Sequence, residues 1–323
     1  MTDTPHIAIT GAAGYIGSRV AREIQETHPD WELTAIDNFY LAKVRAIGDL
    51  DIDHVDIRNR DRLEAALEGA DVVLHLAAVS GVDDCQENQD QAYDVNVQGT
   101  NNVAWFCRKT GAGLVFPFSM AVLGDPEAFP ITVDQPRGPM NWYGRTKLLS
   151  ERAIDTFAEG AFPAHQHMIS NLYGSHEIDG TTVSKGTVIN FFVSRAQAGE
   201  PLTVYEPGTQ SRNYVHVKDV ATAYVRSCER LLDQLEAGET GVEKYEVASD
   251  EDPSVETVAN LVADIAAEET GERPEVKLVE NPRADDETLT DTFEVDTSRA
   301  RERLGWSAER NIESVVREIF AEE

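Results

Sequence analysis

Lysine is the scarcest charged residue in this sequence, with 7 among 323 residues; all Lys and Arg together number 28, against 58 Asp and Glu. The formal net charge of −30 repels phosphate backbones and anionic lipid, which argues against nucleic acid or a membrane surface as partner. The acids are dispersed between core segments instead of gathered in a tail. That pattern fits a halophilic protein in a salt-rich cytoplasm, where molar salt shortens the screening length to ~3 Å. Cysteine is nearly absent, and Cys85, Cys107 and Cys228 are too scattered for a disulfide framework or a metal cluster. No metal is expected. Long apolar runs are missing too: Asp71-Val-Val-Leu-His-Leu-Ala-Ala-Val falls far short of the ~20 residues of a bilayer span. The opening residues Met-Thr-Asp-Thr-Pro-His carry no basic or apolar leader. A cytoplasmic protein, in a reducing compartment, is expected.

What is present is an alternation of short apolar runs and longer helical patterns. His6-Ile-Ala-Ile-Thr reads as a buried strand, followed by a glycine turn and a helix from about Tyr15 to Thr27. Further strands are expected at Glu32-Leu-Thr-Ala-Ile, Ile52-Asp-His-Val-Asp, Asp71-Val-Val-Leu-His-Leu, Gly113-Leu-Val-Phe-Pro-Phe and Gln166-His-Met-Ile-Ser. Helices are expected from an Asp61 cap to Gly69, from Gln91 to Lys109 and from Asn141 to Ala158. Such alternation predicts an α/β fold, a Rossmann-type doubly wound parallel sheet covered on both faces. Beyond Leu172 the pattern loosens. Helices are read at Val188 to Ala198, Asp219 to Leu235, Val255 to Glu269 and Ile312 to Phe320, with strands at Leu202-Thr-Val-Tyr and Tyr245-Glu-Val-Ala. The expected division is a nucleotide-binding domain (1–171 and about 214–250) and a smaller C-terminal substrate-binding lobe (about 172–213 and 251–323).

The first strand–helix junction reads Thr10-Gly-Ala-Ala-Gly-Tyr-Ile-Gly17. Gly11, Gly14 and Gly17 there permit a tight turn, close backbone approach to a pyrophosphate, and packing of helix on strand. A glycine-rich turn alone is ordinary, but Asp37 closes the next strand 20 residues after Gly17. An acid at that place accepts from ribose hydroxyls and repels a 2′-phosphate, selecting NAD over NADP. Asp56 ends the third expected strand, either beside the adenine edge or as a solvated acid.

The spacing G-x-x-G-x-x-G resembles the short-chain dehydrogenase/reductase superfamily. Further residues resemble its extended branch, the NAD-dependent sugar epimerases and dehydratases: Leu74-His-Leu-Ala-Ala, Asp94-Val-Asn-Val-Gln-Gly-Thr, Ser119 before Gly124, Tyr143-Gly-Arg-Thr-Lys147, Asn171-Leu-Tyr-Gly and Arg212-Asn-Tyr-Val-His-Val-Lys-Asp. The resemblance implies that Tyr15, Ile16, Asn38, Ile57, Leu76, Ala77, Ala78 and Asn96 join the glycines, Asp37, Asp56, Tyr143 and Lys147 in holding NAD. It also implies that Asn171, Arg212 and Arg283 meet the diphosphate or its flanking sugar, and Arg suits bidentate phosphate recognition. A surface ion pair with the many acids is the rival for each arginine. Leu123, Met120 and Met168 depart from the family, standing where Tyr, a small hydroxyl residue and Arg are usual.

Tyr143 and Lys147 stand at i and i+4, on one helix face. A phenol with its ordinary pKa of ~10 is a poor base, and a nearby ammonium and a positive nicotinamide ring both favour phenolate. The same spacing also suits a half-buried Tyr beside a surface Lys. Ser119, just past the fifth strand, lies at the sheet edge where open α/β folds bind ligands, and a turn serine is its plainer reading. Asn96 inside a helix is unfavourable unless it contacts a neighbouring strand. His75 reads as a packed strand residue. The reading these residues lead to is C4 epimerisation of a nucleotide-diphosphate sugar through a 4-keto intermediate, in a homodimer by resemblance. The alternatives are a sugar or hydroxy-acid dehydrogenase, a dehydratase or decarboxylase, and a redox-sensing NAD module. Dehydratases and decarboxylases carry an acid shortly after the serine, and Ser119-Met-Ala-Val-Leu-Gly has none.

Overall fold

Apolar residues in unbroken short runs make strands that are buried on both faces. In the computed structural model, which describes residues 4–282, 284 and 287–321, these runs form the centre of the molecule. In chain order the first elements are β1 (His6–Thr10), α1 (Tyr15–Thr27), β2 (Glu32–Asp37), β3 (Ala46–Ile47), β4 (Leu50–His54), α2 (Arg60–Ala66) and β5 (Val72–His75). Then come α3 (Val82–Glu87), α4 (Gln89–Tyr93), a π-helical stretch Asp94–Gly99, α5 (Thr100–Thr110), β6 (Gly113–Ser119) and α6 (Trp142–Ala158). The second half holds β7 (Pro163–Ile169), β8 (Asn171–Tyr173), β9 (His176–Ile178), β10 (Thr181–Val183), α7 (Val188–Gln197), β11 (Leu202–Tyr205) and β12 (Tyr214–His216). It ends with α8 (Val217–Ala237), β13 (Gly241–Val247), α9 (Val255–Thr270), β14 (Val276–Val279), α10 (Ser298–Leu304) and α11 (Ile312–Ala321).

The main sheet has the order β13-β7-β6-β5-β1-β2-β4-β3, and only the β3–β4 pair is antiparallel. The chain winds outward from β1 to one side and from β5 to the other. This is the doubly wound Rossmann-type sheet, and its switch point between β1 and β5 opens a crevice at the strands' C-terminal ends. Alternate residues feed two cores. Ala8, Val73, Leu114 and Phe116 face α5 and α6, whereas Ile7, Ile9, Leu74 and Val115 face α1 and α8. A third core, with Phe192, Val204, Tyr214, Val258 and Val316, joins α7, β11, β12, α9 and α11 in the smaller lobe.

Several expectations shift. Asn59, not Asp61, caps α2: its side-chain oxygen accepts from the Arg62 N–H at 3.2 Å, and Asp61 sits inside the first turn. A carboxylate there still favours the helix through its dipole. The third expected strand lies two residues earlier, as Leu50–His54, which leaves Asp56 beyond its end. β7 starts at Pro163, before the expected Gln166, because its polar side chains are satisfied internally. His165 Nε2 meets Gln234 at 2.9 Å, His167 Nε2 meets Ser227 at 2.7 Å, and Gln166 donates to the Glu151 carbonyl at 3.1 Å. α10 was not anticipated. Its Ala300 and Leu304, with Trp306, pack in the core under α1 and α8, so this piece of the tail lies on the large sheet.

Candidate active site

The crevice is a cleft of about 460 Å³ whose wall includes Gly11, Gly14, Tyr15, Ile16, Gly17, Asp37, Asn38, Ile57, Leu76, Ala77, Ala78, Ser119, Tyr143 and Lys147. Gly11 has φ +74, and a Cβ there would come within 2.5 Å of the Ala77 nitrogen. A Cβ on Gly17 would sit 2.1 Å from the Gly11 carbonyl oxygen. Both positions therefore need glycine, one for its backbone and one for the approach of α1 to the turn. The result is a shallow cradle of backbone ending on the N-terminus of α1, the environment a dinucleotide's pyrophosphate requires.

Asp37 closes β2 at the rim of this cradle. Its carboxylate accepts from the Ala13 N–H at 3.0 Å and the Phe39 N–H at 2.7 Å. Burial pushes its pKa up, and these N–H groups work against the rise. Asp56 stands apart from the cleft wall and pairs with Arg58 at 2.6 Å, which holds its carboxyl below the usual range; Ile57 supplies the wall surface. Asn96 lies behind the wall, fully enclosed. Its oxygen accepts from the Val79 N–H at 2.8 Å, and its amide donates to the Val79 carbonyl and Thr146 hydroxyl, each at 3.0 Å. It thereby fixes the end of the Leu76–Val79 wall. His75 is buried between Thr10 (2.8 Å) and Thr100 (2.9 Å), and burial lowers its pKa to about 3. It is a neutral packing residue.

On the opposite wall, α6 is capped by Asn141, which accepts from the Gly144 N–H at 2.9 Å. This orientation brings Tyr143 and Lys147 to the cleft beside Ser119 at the end of β6. The Ser119 hydroxyl accepts from the Ala121 N–H at 3.2 Å and hydrogen-bonds the Tyr143 phenol. Lys147 donates to the Pro117 carbonyl at 3.1 Å, with its nitrogen 4.8 Å from the centre of the Phe116 ring. Burial lowers its pKa to about 8. The phenol behaves contrary to the expectation that the ammonium activates it. Loss of water pushes Tyr143 up to about 12, and the Ser119 hydrogen bond only partly offsets this. The chain's own groups thus leave the phenol protonated at neutral pH.

Asn171 starts β8, opposite Tyr214 of β12, and Arg212 stands two residues before β12. The Asn171 amide donates to the Asn213 carbonyl at 3.0 Å, and Arg212 is 3.7 Å from Glu287. Neither belongs to the cleft wall. Arg283 lies outside the described residues. Lys185, Ser80 and Asp84 do line the cleft, and the sequence reading passed over them. Lys185 sits in an aperiodic Gly- and Thr-containing stretch, where the one available signal was the rarity of lysine. Tyr15 has a second duty: its hydroxyl donates to the carbonyls of Tyr173 (3.0 Å) and Gly174 (2.6 Å), tying the cradle to the lobe.

Among the described residues, no helix is long and apolar enough to cross a membrane. The model of the NAD dependent epimerase/dehydratase family matches residues 7–241. The chain is 26% identical to UDP-glucose 4-epimerase of Bacillus subtilis (strain 168), over 96% of this chain and 94% of that protein. It is 29% identical to a UDP-N-acetyl-alpha-D-glucosaminuronate decarboxylase of Bacillus cytotoxicus, covering 78% of this chain and 77% of that one. Among solved structures, UDP-glucose-4-epimerase from Stenotrophomonas maltophila with bound NAD and formylated UDP-arabinopyranose superposes with a TM-score of 0.84 at 24% identity. That match covers 98% of this chain and 97% of that one. MoeE5 in complex with UDP-glucuronic acid and NAD gives 0.77 at 25% identity, with 96% of each chain covered.

Proposed function

Because this chain belongs to the NAD dependent epimerase/dehydratase family, we propose that it interconverts nucleotide-diphosphate sugars at C4 through a 4-keto intermediate. The observation that carries this reading is the convergence of Ser119, Tyr143 and Lys147 on a wall of the cleft whose floor is the glycine cradle. NAD, when bound, supplies reversible hydride chemistry. Ser119 Oγ orients the C4 hydroxyl, and Tyr143 Oη takes its proton and later returns one. Lys147 holds the nicotinamide ribose, and Asp37 the adenosine ribose. Asn171 and Arg212 grip the diphosphate end; Arg283, the third residue given that role by resemblance, lies outside the described residues. The glycosyl ketone turns over in the cleft before reduction from its other face.

Relatives include both 4-epimerases and a decarboxylase. The stretch Met120-Ala-Val after Ser119 carries no acid, which favours return of the hydride over elimination. We further propose a homodimer of a cytoplasmic, salt-adapted protein. Helices α4–α5 and α6 would pair with their copies, where Trp105 (37% exposed) and Leu149 (46%) lie open. The deciding experiment incubates the NAD-loaded protein with UDP-, dTDP- and GDP-sugars and follows each by NMR. Appearance of the C4 epimer supports the proposal. Loss of water or carbon dioxide, or stoichiometric NADH, assigns one of the other reactions.

A further inference from the structure

The cleft holds a second lysine that the chemistry at C4 does not use. Lys185 lies in the loop between β10 and α7, and its Nζ donates to the Ser80 carbonyl at 2.8 Å and the Ser80 hydroxyl at 2.9 Å. Both acceptors are neutral. Among the described residues no carboxylate comes within 4.0 Å of that nitrogen. The neighbouring acid in the wall, Asp84, acts on it only at longer range; it leans over the Gly81 turn, where an added Cβ would meet its oxygen at 2.6 Å. Lys109, Lys244 and Lys277, by contrast, each pair with Asp or Glu. A partly desolvated ammonium with an open hydrogen-bonding site and no carboxylate in contact is a place for an anion.

The position narrows which anion. Ser80 follows Val79, which Asn96 ties to Thr146 on α6 between Tyr143 and Lys147, so Lys185 lines the reacting end of the cleft. The candidate for the diphosphate, Arg212, lies outside the cleft wall, two residues before β12. We infer that Lys185 is a specificity-determining residue that takes a carboxylate on the reacting ring, so that the substrate is a nucleotide uronic acid. This rests on the nucleotide-sugar reading above and deepens it.

The test titrates the NAD-loaded protein with UDP-glucuronic acid, UDP-glucose and UDP, as wild type, Lys185→Met and Lys185→Arg. The wild type should bind UDP-glucuronic acid more tightly than UDP-glucose. Lys185→Met should weaken the acid by roughly ten- to a hundredfold more than the neutral sugar, the range of a charge-assisted hydrogen bond, and Lys185→Arg should keep the preference. Equal wild-type affinity for the two sugars overturns the assignment, whether or not the variants fold. So does a Met variant that weakens all three ligands by one factor, because the lysine then serves the diphosphate. If NAD binds but neither sugar nor UDP does, the nucleotide-sugar reading itself has failed.

Discussion

In the proposed reaction a single hydroxyl carries the proton chemistry. Tyr143→Phe removes it and leaves the ring packed, so NAD affinity and fold should persist while turnover falls ~10²–10⁴-fold. Product formation by NMR beside an NAD titration checks this, and near-normal turnover would return Tyr143 to a structural role. With burial the main cause holding the phenol up near 12, its pKa should fall markedly once NAD is bound, so that it ionises at lower pH. The wild-type minus Tyr143→Phe ultraviolet difference spectrum against pH, with and without NAD, reads that shift. At the cradle rim, Asp37 faces any 2′-phosphate with like charge, so NADP should bind at least tenfold more weakly than NAD by calorimetry; Asp37→Asn should narrow the gap. These residues were legible in the sequence because each stands at a fixed distance from a neighbour: Gly11 from Gly17, Tyr143 from Lys147. Lys185 has no such partner along the chain, and only the folded loop brings it to Ser80.

Between α4 and α5 the helix widens into a π-helical stretch, Asp94–Gly99. The sequence shows one helix here, since a local change of hydrogen-bond register leaves the apolar spacing nearly intact. What did show was the misfit of Asn96 in a helix interior, and the structure explains it by the two Val79 hydrogen bonds. Such π segments recur at functional sites, where they re-aim a side chain. Asn96→Ala should destabilise the protein by about 1–3 kcal/mol, because Val79 loses both partners in a buried site. Urea melts measure that loss. NAD affinity should fall as well, since the Leu76–Val79 wall is no longer held; unchanged affinity would limit Asn96 to stability. β7 illustrates the opposite blindness. A strand with two histidines and a glutamine looks half-exposed until α6 and α8 supply their partners.

Charge and protonation act on the molecule as a whole. With a net charge of −30 spread over the chain, self-repulsion should relax in multimolar KCl, raising the melting temperature seen by circular dichroism. No shift between dilute buffer and molar salt would count against the halophilic reading. Acid has a definite sign. Burial lowers His75, His167 and His216 to about 3, and His165 and His176 to about 4. Unfolded, they take up protons near ~6.5, so the unfolded chain binds more protons between pH ~6.5 and 4 and stability falls as pH falls through that window. The slope is at most ~1.4 kcal/mol per pH unit for each histidine. Asp37, Glu246 and Glu251, whose pKa values burial raises, pull the other way nearer the carboxylate range. At constant salt, the urea midpoint should therefore be lower at pH 5 than at pH 7.5. Leu149→Glu, on the exposed face of α6, should turn a dimer seen by light scattering in high salt into a monomer.

The Tyr15 hydroxyl rests on the Tyr173 and Gly174 carbonyls, so the first turn of α1 belongs to two sites at once. A cradle drawn tight around one ligand holds the lobe's first strand in place for the other. Thermodynamic linkage makes this traffic symmetrical: whatever factor a bound dinucleotide adds to affinity for the sugar nucleotide, the sugar nucleotide gives back to the dinucleotide. The proposed C4 epimerisation, which regenerates its own oxidant in every turnover, gains from that symmetry, because each occupied site discourages the other from emptying midway through the cycle.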